Sequence, residues 1–209
     1  EGEHVLDVGT GCGLLGILAA KKAGSVVAVD FNPFAIRCAK GNSALNGVRG
    51  KIDFVQASLF TALNPSATFD LILFNAPYLP SDEGEAASWI GRAWAGGANG
   101  REVVDCFISE VSLHLEPCGR VLLMQSTLTG VEETLRKFSA HDLKASIKAD
   151  FDEKRTRIGS GQMGPKISRS SDKIVKRAIR GMLPDHRKGR GKIAFGKIRC
   201  YVGVPKEYQ

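Results

Sequence analysis

Apolar residues follow two rhythms along the first 150 positions, and the switching between them predicts the fold. Short, continuously apolar runs mark strands at His4 to Val8, Ser25 to Val29, Ile52 to Gln56, Leu71 to Phe74 and Arg120 to Gln125. Helical spacing fills the intervals Leu14 to Lys22, Asn32-Pro33 to about Asn46-Gly47, and Arg101 to Leu115. Pro33 suits a first helical turn, and Pro117-Cys118-Gly119 reads as a turn before the last strand. Strands that are apolar throughout, alternating with helices, give an α/β fold with a parallel sheet covered on both faces.

After Asp150 this alternation stops. Lys154 to Gly161 reads as a basic, flexible segment, and Ser171 to Arg180 as a short helix with Ile174, Val175, Ala178 and Ile179 on one face. Pro184 to Lys192 is a loop too basic and glycine-rich to enter a core. Charge changes at the same place: residues 1–150 carry 13 Lys and Arg against 17 Asp and Glu, and the last 59 carry 16 against 5. The first part is expected to be one domain, 1–148, and the second a small basic helix, loop and strand segment, 149–209. Hydrophobic content of 43% is ordinary for a globular chain. The five cysteines and four histidines are scattered without C-x-x-C spacing, so neither a disulfide framework nor a metal site is expected, and a cytoplasmic, reducing setting fits. No apolar run is long enough to span a bilayer. Glu1-Gly2-Glu3-His4 leads straight into a strand without a methionine, which points to a further segment upstream.

Chemistry gathers behind the first, second and fourth strands. Gly9, Gly11 and Gly13 follow the first strand and let backbone approach a ligand, while Asp30 ends the second and can accept bonds from two ribose hydroxyls. These are nucleoside-binding features that do not choose the nucleoside. Gly11-Cys12-Gly13-Leu14-Leu15-Gly16 also fits the dinucleotide spacing, with an acidic residue about 20 positions on, and such a glycine run can be a structural turn alone. Asn75-Ala76-Pro77-Tyr78 follows the fourth strand and so joins the same sheet edge. An amide nitrogen is a poor nucleophile, so its two hydrogens must be held by aimed acceptors. The Asn75 side-chain carbonyl and the Ala76 backbone carbonyl can do that. Tyr78 can pack on a planar substrate group, and aromatic faces near a sulfonium add roughly 0.5 to 2 kcal/mol.

Asn75-Ala76-Pro77-Tyr78 resembles the N-P-P-Y motif of methyltransferases acting on amide or amino nitrogens. With the segment Trp89 to Asp105, residues 1–148 resemble the eukaryotic and archaeal HemK-type glutamine methyltransferases. The resemblance implies a Rossmann-like class I methyltransferase sheet, here truncated at both ends and lacking a final pair of strands, which leaves an open edge. It implies methyl transfer from S-adenosyl-L-methionine to a glutamine amide of a class 1 translation release factor, with lysine as a second acceptor in some members. A small zinc-binding activator subunit is the implied partner. The implied catalytic residues are Asn75, Ala76, Pro77 and Tyr78; the implied cofactor contacts are Asp7, Gly9, Thr10, Gly11, Gly13, Asp30, Phe31, Ser58, Leu59 and Asn75. Ala76 stands where the motif has its first proline, which loosens the backbone, and Ser58 stands where the family has an acidic residue.

Ile174 to Pro184, Arg190-Gly191 and Cys200 to Glu207 resemble the C-terminal half of archaeal ribosomal protein L13 (uL13) over about residues 151–209. That implies ribosomal RNA binding through Arg177, Arg180, Arg187, Lys188, Arg190 and Lys192. Fifty-nine residues with few large apolar side chains make a weak core, and Phe195, Ile198, Tyr201 and Val204 are expected to seek apolar partners. Two incomplete families meeting near 149–152 are the mark of a chimera, by natural fusion or by a gene-boundary error.

Overall fold

The structure, a computed structural model, describes residues 2–82, 89, 91–148 and 198–199, the last two and Leu128 by backbone alone. Six strands form one sheet: β1 (His4–Val8), β2 (Ser25–Asp30), β3 (Ile52–Gln56), β4 (Phe69–Asn75), β5 (Leu115–Ser126) and β6 (Ile198–Arg199). Their order is β3-β2-β1-β4-β5-β6. The first five run parallel, and β6 is antiparallel to β5. Helices α1 (Leu14–Ala20), α2 (Pro33–Leu45), α3 (Glu102–Val111) and α4 (Val131–Ala140) connect them.

Strand alternation divides the core in two. Val5, Val26, Ala28 and Leu73 face Ile17 and Ala20 of α1. Leu6, Val8, Val29, Ile72, Phe74 and Leu123 face Val104, Phe107, Ile108 and Val111 of α3 and Phe138 of α4. Both faces are covered, which is why the strand sequences are apolar throughout. Phe107 is the hub of the second layer: its ring lies 4.4 Å from that of Phe74 and 5.5 Å from that of Phe60.

Departures from the expected elements have local causes. The helix expected over Arg101 to Leu115 ends at Val111, and Ser112–His114 tighten into a 3-10 turn. There His114 Nδ1 meets the Ala67 carbonyl at 2.8 Å, and its ring stacks on Phe60 at 4.8 Å. Leu115 can therefore pair with Phe69, so β5 starts five residues earlier than expected. Pro117-Cys118-Gly119 is a bulge inside the strand, since Arg120 is next to pair, with Leu71; Cys118 sits at φ 68°. Helix α4 was not expected, though Val131, Thr134, Leu135 and Phe138 carry helical spacing. The edge expected to be open beyond β5 is met at one end by β6. The expected elements between Lys154 and Lys192 lie outside the described residues. Among the described residues no helix is long and apolar enough to cross a membrane.

Phe107→Ala should destabilise the chain by about 3 to 5 kcal/mol, the cost of emptying a fully buried aromatic site. Urea unfolding of both chains measures it.

Candidate functional site

Strand register assembles the site. Val8 pairs with Val29 on one side and with Phe74 on the other. The next residues, Gly9, Asp30 and Asn75, therefore leave three neighbouring strands at one level, with Gln56 and Met124 extending the row. β1 is where the chain's strand order reverses, and ligands of open α/β sheets bind beyond the carboxyl ends at that point.

Two carboxylates shape residues 9–13. Asp7 Oδ2 accepts the Thr10 hydroxyl at 2.6 Å and the Gly16 N–H at 2.8 Å, tying the turn to the first turn of α1. Burial pushes the Asp7 carboxyl up to about 6, although the Thr10 and Gly16 bonds pull it down; the Asp30 charge adds to the rise. Its other oxygen, Oδ1, is buried and has no hydrogen-bond partner. Asp30 Oδ2 accepts the Gly11 N–H at 2.8 Å and Oδ1 the Asn32 N–H at 2.9 Å. Burial raises this carboxyl too, and the Asn32 and Gly11 bonds offset part of that. Each Asp30 oxygen keeps a second lone-pair direction for a ligand.

Close neighbours leave no room for a side chain here at two places. Gly13 has φ 86°, and a Cβ on it would lie 3.0 Å from that of Ala39. A Cβ on Gly16 would come within 2.9 Å of Asp7 Oδ2. At Gly11, by contrast, nothing lies within 4 Å of the Cβ position, so the turn has an open side where a ligand can approach backbone.

Asn75 is the last residue of β4, and its side-chain oxygen is buried without a hydrogen-bond partner. Such an oxygen carries a desolvation cost of about 1 to 3 kcal/mol until a donor arrives. Ala76 and Tyr78 are buried beside it. The looseness expected from losing proline at Ala76 meets a restraint downstream: Leu79 N–H donates to Trp94 O, and Gly96 N–H to Leu79 O, both within 2.9 Å. Ser58 is exposed; its carbonyl accepts Thr61 N–H, and Leu59 takes φ 47° in the turn between them. Phe31 is half-buried on the rim.

Two features went unread in the sequence. The Arg92 guanidinium lies 5.9 Å from the Phe31 ring centroid and 5.6 Å from that of Trp89, and these rings are 5.6 Å apart. Trp89, Arg92 and Phe31 thus make a cation-aromatic rim beside Asp30. The second is Arg101, 4% exposed. Its guanidinium donates to Thr129 O, Gly130 O, Thr134 Oγ1 and Asp105 Oδ1. Its backbone N–H donates to Asn99 Oδ1, and Glu102 N–H to Gly96 O, so the loop that pairs with Leu79 is fastened to α4. Burial raises the Asp105 carboxyl, but bonds from Lys137 and Arg101 outweigh it and hold the carboxyl below its ordinary range. The buried start of an amphipathic helix was the available signal for Arg101.

The register brings Asp7, Gly9, Thr10, Gly11, Gly13, Asp30 and Asn75 together, with Phe31 at the rim. Arg177, Arg180, Arg187, Lys188, Arg190 and Lys192 lie outside the described residues. No group of three or more His, Cys, Asp or Glu is placed to hold a metal among the described residues. S-adenosylmethionine fits what is present: a paired acceptor for a ribose diol at Asp30, an open glycine turn, and uncompensated acceptor oxygens at Asp7 and Asn75 that suit a cationic ligand and its acceptor substrate.

Comparison with known proteins agrees with this geometry. Residues 1–180 match a methyltransferase domain family. A Methanocaldococcus jannaschii protein named for N5-glutamine methyltransferase activity is 43% identical over 151 residues, spanning 71% of this chain and 75% of that protein. The large ribosomal subunit protein uL13 of Methanococcoides burtonii is 48% identical over 52 residues, 25% of this chain and 37% of that protein. The solved Mtq2-Trm112 complex of E. cuniculi, responsible for methylation of the eRF1 termination factor, superposes with TM-score 0.51 at 25% identity, covering 68% and 71% of the two chains. The chain belongs to the methyltransferase domain family and, within it, to the HemK-type S-adenosylmethionine-dependent protein methyltransferases.

Proposed function

We propose that this chain, in the cytoplasm, methylates the side-chain amide of a glutamine in a translation release factor. The observation that carries the reading is the buried, unpartnered Asn75 Oδ1 at the end of β4, on one level with Gly9 and Asp30. S-adenosylmethionine supplies an electrophilic methyl group on a positively charged sulfur. Asn75 Oδ1 accepts one amide hydrogen and the Ala76 carbonyl the other, which fixes the nitrogen lone pair on the line of attack. With S-adenosylmethionine held by Asp30 and the glycine turn, transfer would exchange its C–S bond for an N–C bond, leaving a neutral thioether and releasing one amide proton to solvent. Pro77 limits the backbone after Ala76, and Tyr78 packs against the plane of the amide. Asp30 binds the ribose hydroxyls; Phe31, Ser58 and Leu59 border the base; Asp7, Thr10, Gly9, Gly11 and Gly13 form the floor. The E. cuniculi complex supports a small activator subunit as partner for this chain. A lysine ammonium must first lose a proton to attack and presents no plane for Tyr78 to pack on, which makes it the weaker choice.

A second reading belongs to the basic segment, which we propose as a distinct unit, 149–209, contacting ribosomal RNA; the uL13 match favours it. Its contacts are Arg177, Arg180, Arg187, Lys188, Arg190 and Lys192.

Asn75→Ala should lower the rate of methyl transfer to a release-factor glutamine on the order of 100-fold, with a smaller change in S-adenosylmethionine affinity; undiminished transfer would remove Asn75 from the mechanism. Asp30→Ala should weaken S-adenosylmethionine binding on the order of 100-fold by calorimetry, since hydrogen bonds to a charged group are lost. For Asp7, the folded carboxyl titrates near 6 against 3.8 unfolded. The folded state therefore holds the extra proton, and stability falls as pH rises between those values, by about 3 kcal/mol in full. Asp7→Asn should lack that slope, so the variant gains on the parent between pH 4 and 7 in parallel denaturation series. Binding of large-subunit RNA, if six phosphates are engaged, should weaken with salt at a log-log slope near −0.9 per phosphate; a flat dependence would exclude the basic residues as contacts.

A further inference from the structure

The backbone that follows Asn75 is held from outside its strand. Ala76, Tyr78 and Leu79 are buried, and beyond Tyr78 the chain is laced to the loop at 94–97. Leu79 N–H donates to Trp94 O at 2.9 Å, Gly96 N–H to Leu79 O at 2.8 Å and Ser81 N–H to Gly97 O at 2.9 Å. The tightest approach is at Gly100, which has φ 73°. A Cβ there would lie 2.6 Å from the Tyr78 carbonyl oxygen, 3.2 Å from Pro80 N and 2.8 Å from Thr129 Cγ2. Gly100 therefore packs by backbone alone against both the motif and the chain that leaves β5. Thr129 is itself fixed, since its hydroxyl donates to the carbonyl of Ser126, the last residue of β5, at 2.8 Å.

Arg101, the next residue, closes this contact from behind. Its N–H donates to Asn99 Oδ1 at 2.9 Å, which shapes the turn around Gly100. Its buried guanidinium donates to Thr129 O, to Gly130 O at 3.0 Å, to Thr134 Oγ1 at 3.1 Å and to Asp105 Oδ1 at 2.7 Å. A planar fork with five donors can serve acceptors on the link after β5, on α4 and on α3 at once, whereas a lysine presents three donors on a single nitrogen. The restraint arrives where the motif needs one. Ala76 leaves free a φ that proline would fix, yet its carbonyl has to be aimed if it is to hold an amide hydrogen.

We propose that Arg101 is a positioning residue for methyl transfer: it holds Gly100 between Thr129 and the Tyr78 carbonyl, and so supplies to the backbone of Asn75 to Tyr78 the rigidity that Ala76 does not. It touches neither the cofactor nor the acceptor amide and acts through Gly100 and the bonds at Leu79 and Ser81. The inference rests on the reading of Asn75 to Tyr78 as the acceptor site.

Kinetics of the full-length chain, with a release factor as methyl acceptor, test it. Arg101→Lys keeps the charge and should lower kcat roughly tenfold, because small misplacements of a reacting group are costly. Acceptor KM and S-adenosylmethionine affinity by calorimetry should stay within about twofold of the parent. Ala76→Pro added to the Arg101→Lys chain should raise kcat roughly fivefold more than the same change does in the parent, since the two restraints act on one stretch of backbone. By NMR, hydrogen exchange at the Leu79 and Ser81 amides of Arg101→Lys should quicken roughly tenfold while that at Val5 and Leu6 stays as it was. Thr134→Val removes one acceptor at nearly constant volume, and should show the same split at roughly threefold if the lysine chain does not fold. An unchanged kcat, a loss of cofactor affinity as large as the loss in kcat, an equal effect of Ala76→Pro in both chains, or exchange that quickens through the whole sheet would overturn the proposal. The exchange readout needs no acceptor: unchanged exchange at Leu79 and Ser81 removes the hold assigned to Arg101, whereas transfer undiminished by Asn75→Ala removes the acceptor reading instead.

Discussion

A carboxylate removed from water has to be bonded, and Asp7 meets that demand by drawing in the turn that follows its own strand. Thr10 and Gly16 both donate to one of its oxygens, which bends residues 9–13 back over the end of β1 and starts α1. Asp30 does the same from the neighbouring strand, holding Gly11 by its N–H. The hollow at the carboxyl edge of the sheet is thus shaped by two buried acids, each of them raised by that burial. Each hydrogen bond from the turn offsets part of the cost of holding these carboxylates out of water, which is what keeps residues 9–13 fastened to the sheet.

The parallel core was legible because burial on two faces leaves an unmistakable apolar run in each strand, and the glycines, Asp30 and Asn75 were legible because each follows such a run. Spacing alone then put them at one sheet edge, and strand register put three of them at one level. What escaped detection depends on contacts between distant residues. β5 begins at Leu115 because the His114 ring finds Phe60 and its nitrogen finds the Ala67 carbonyl, and a turn signal such as Pro117-Cys118-Gly119 does not reveal that a strand runs through it. The Trp89, Arg92 and Phe31 rim joins two loops far apart in sequence. Helix α4 has the right periodicity, yet its ten residues carry few large apolar side chains.

The sheet's other edge poses the opposite problem to the site. At the carboxyl ends of β1, β2 and β4, polar groups are held out of water for a ligand to meet. Along β5, apolar side chains line a groove, and the two-residue strand β6 pairs with the end of β5. Ile198 and Arg199, the two residues that pair there with β5, come from the end of the chain that is similar to uL13.

Arg101 joins two parts of the molecule that sequence keeps apart. Its backbone and neighbours order the loop at 96–100, while its guanidinium caps the chain at Thr129 and Gly130 and reaches Thr134 of α4. Free energies of ordering that share one side chain are reciprocal. Whatever orders the loop must also tighten α4, and whatever loosens α4 takes away part of the loop's anchorage. The loop at 96–100 and α4 therefore act as one thermodynamic element.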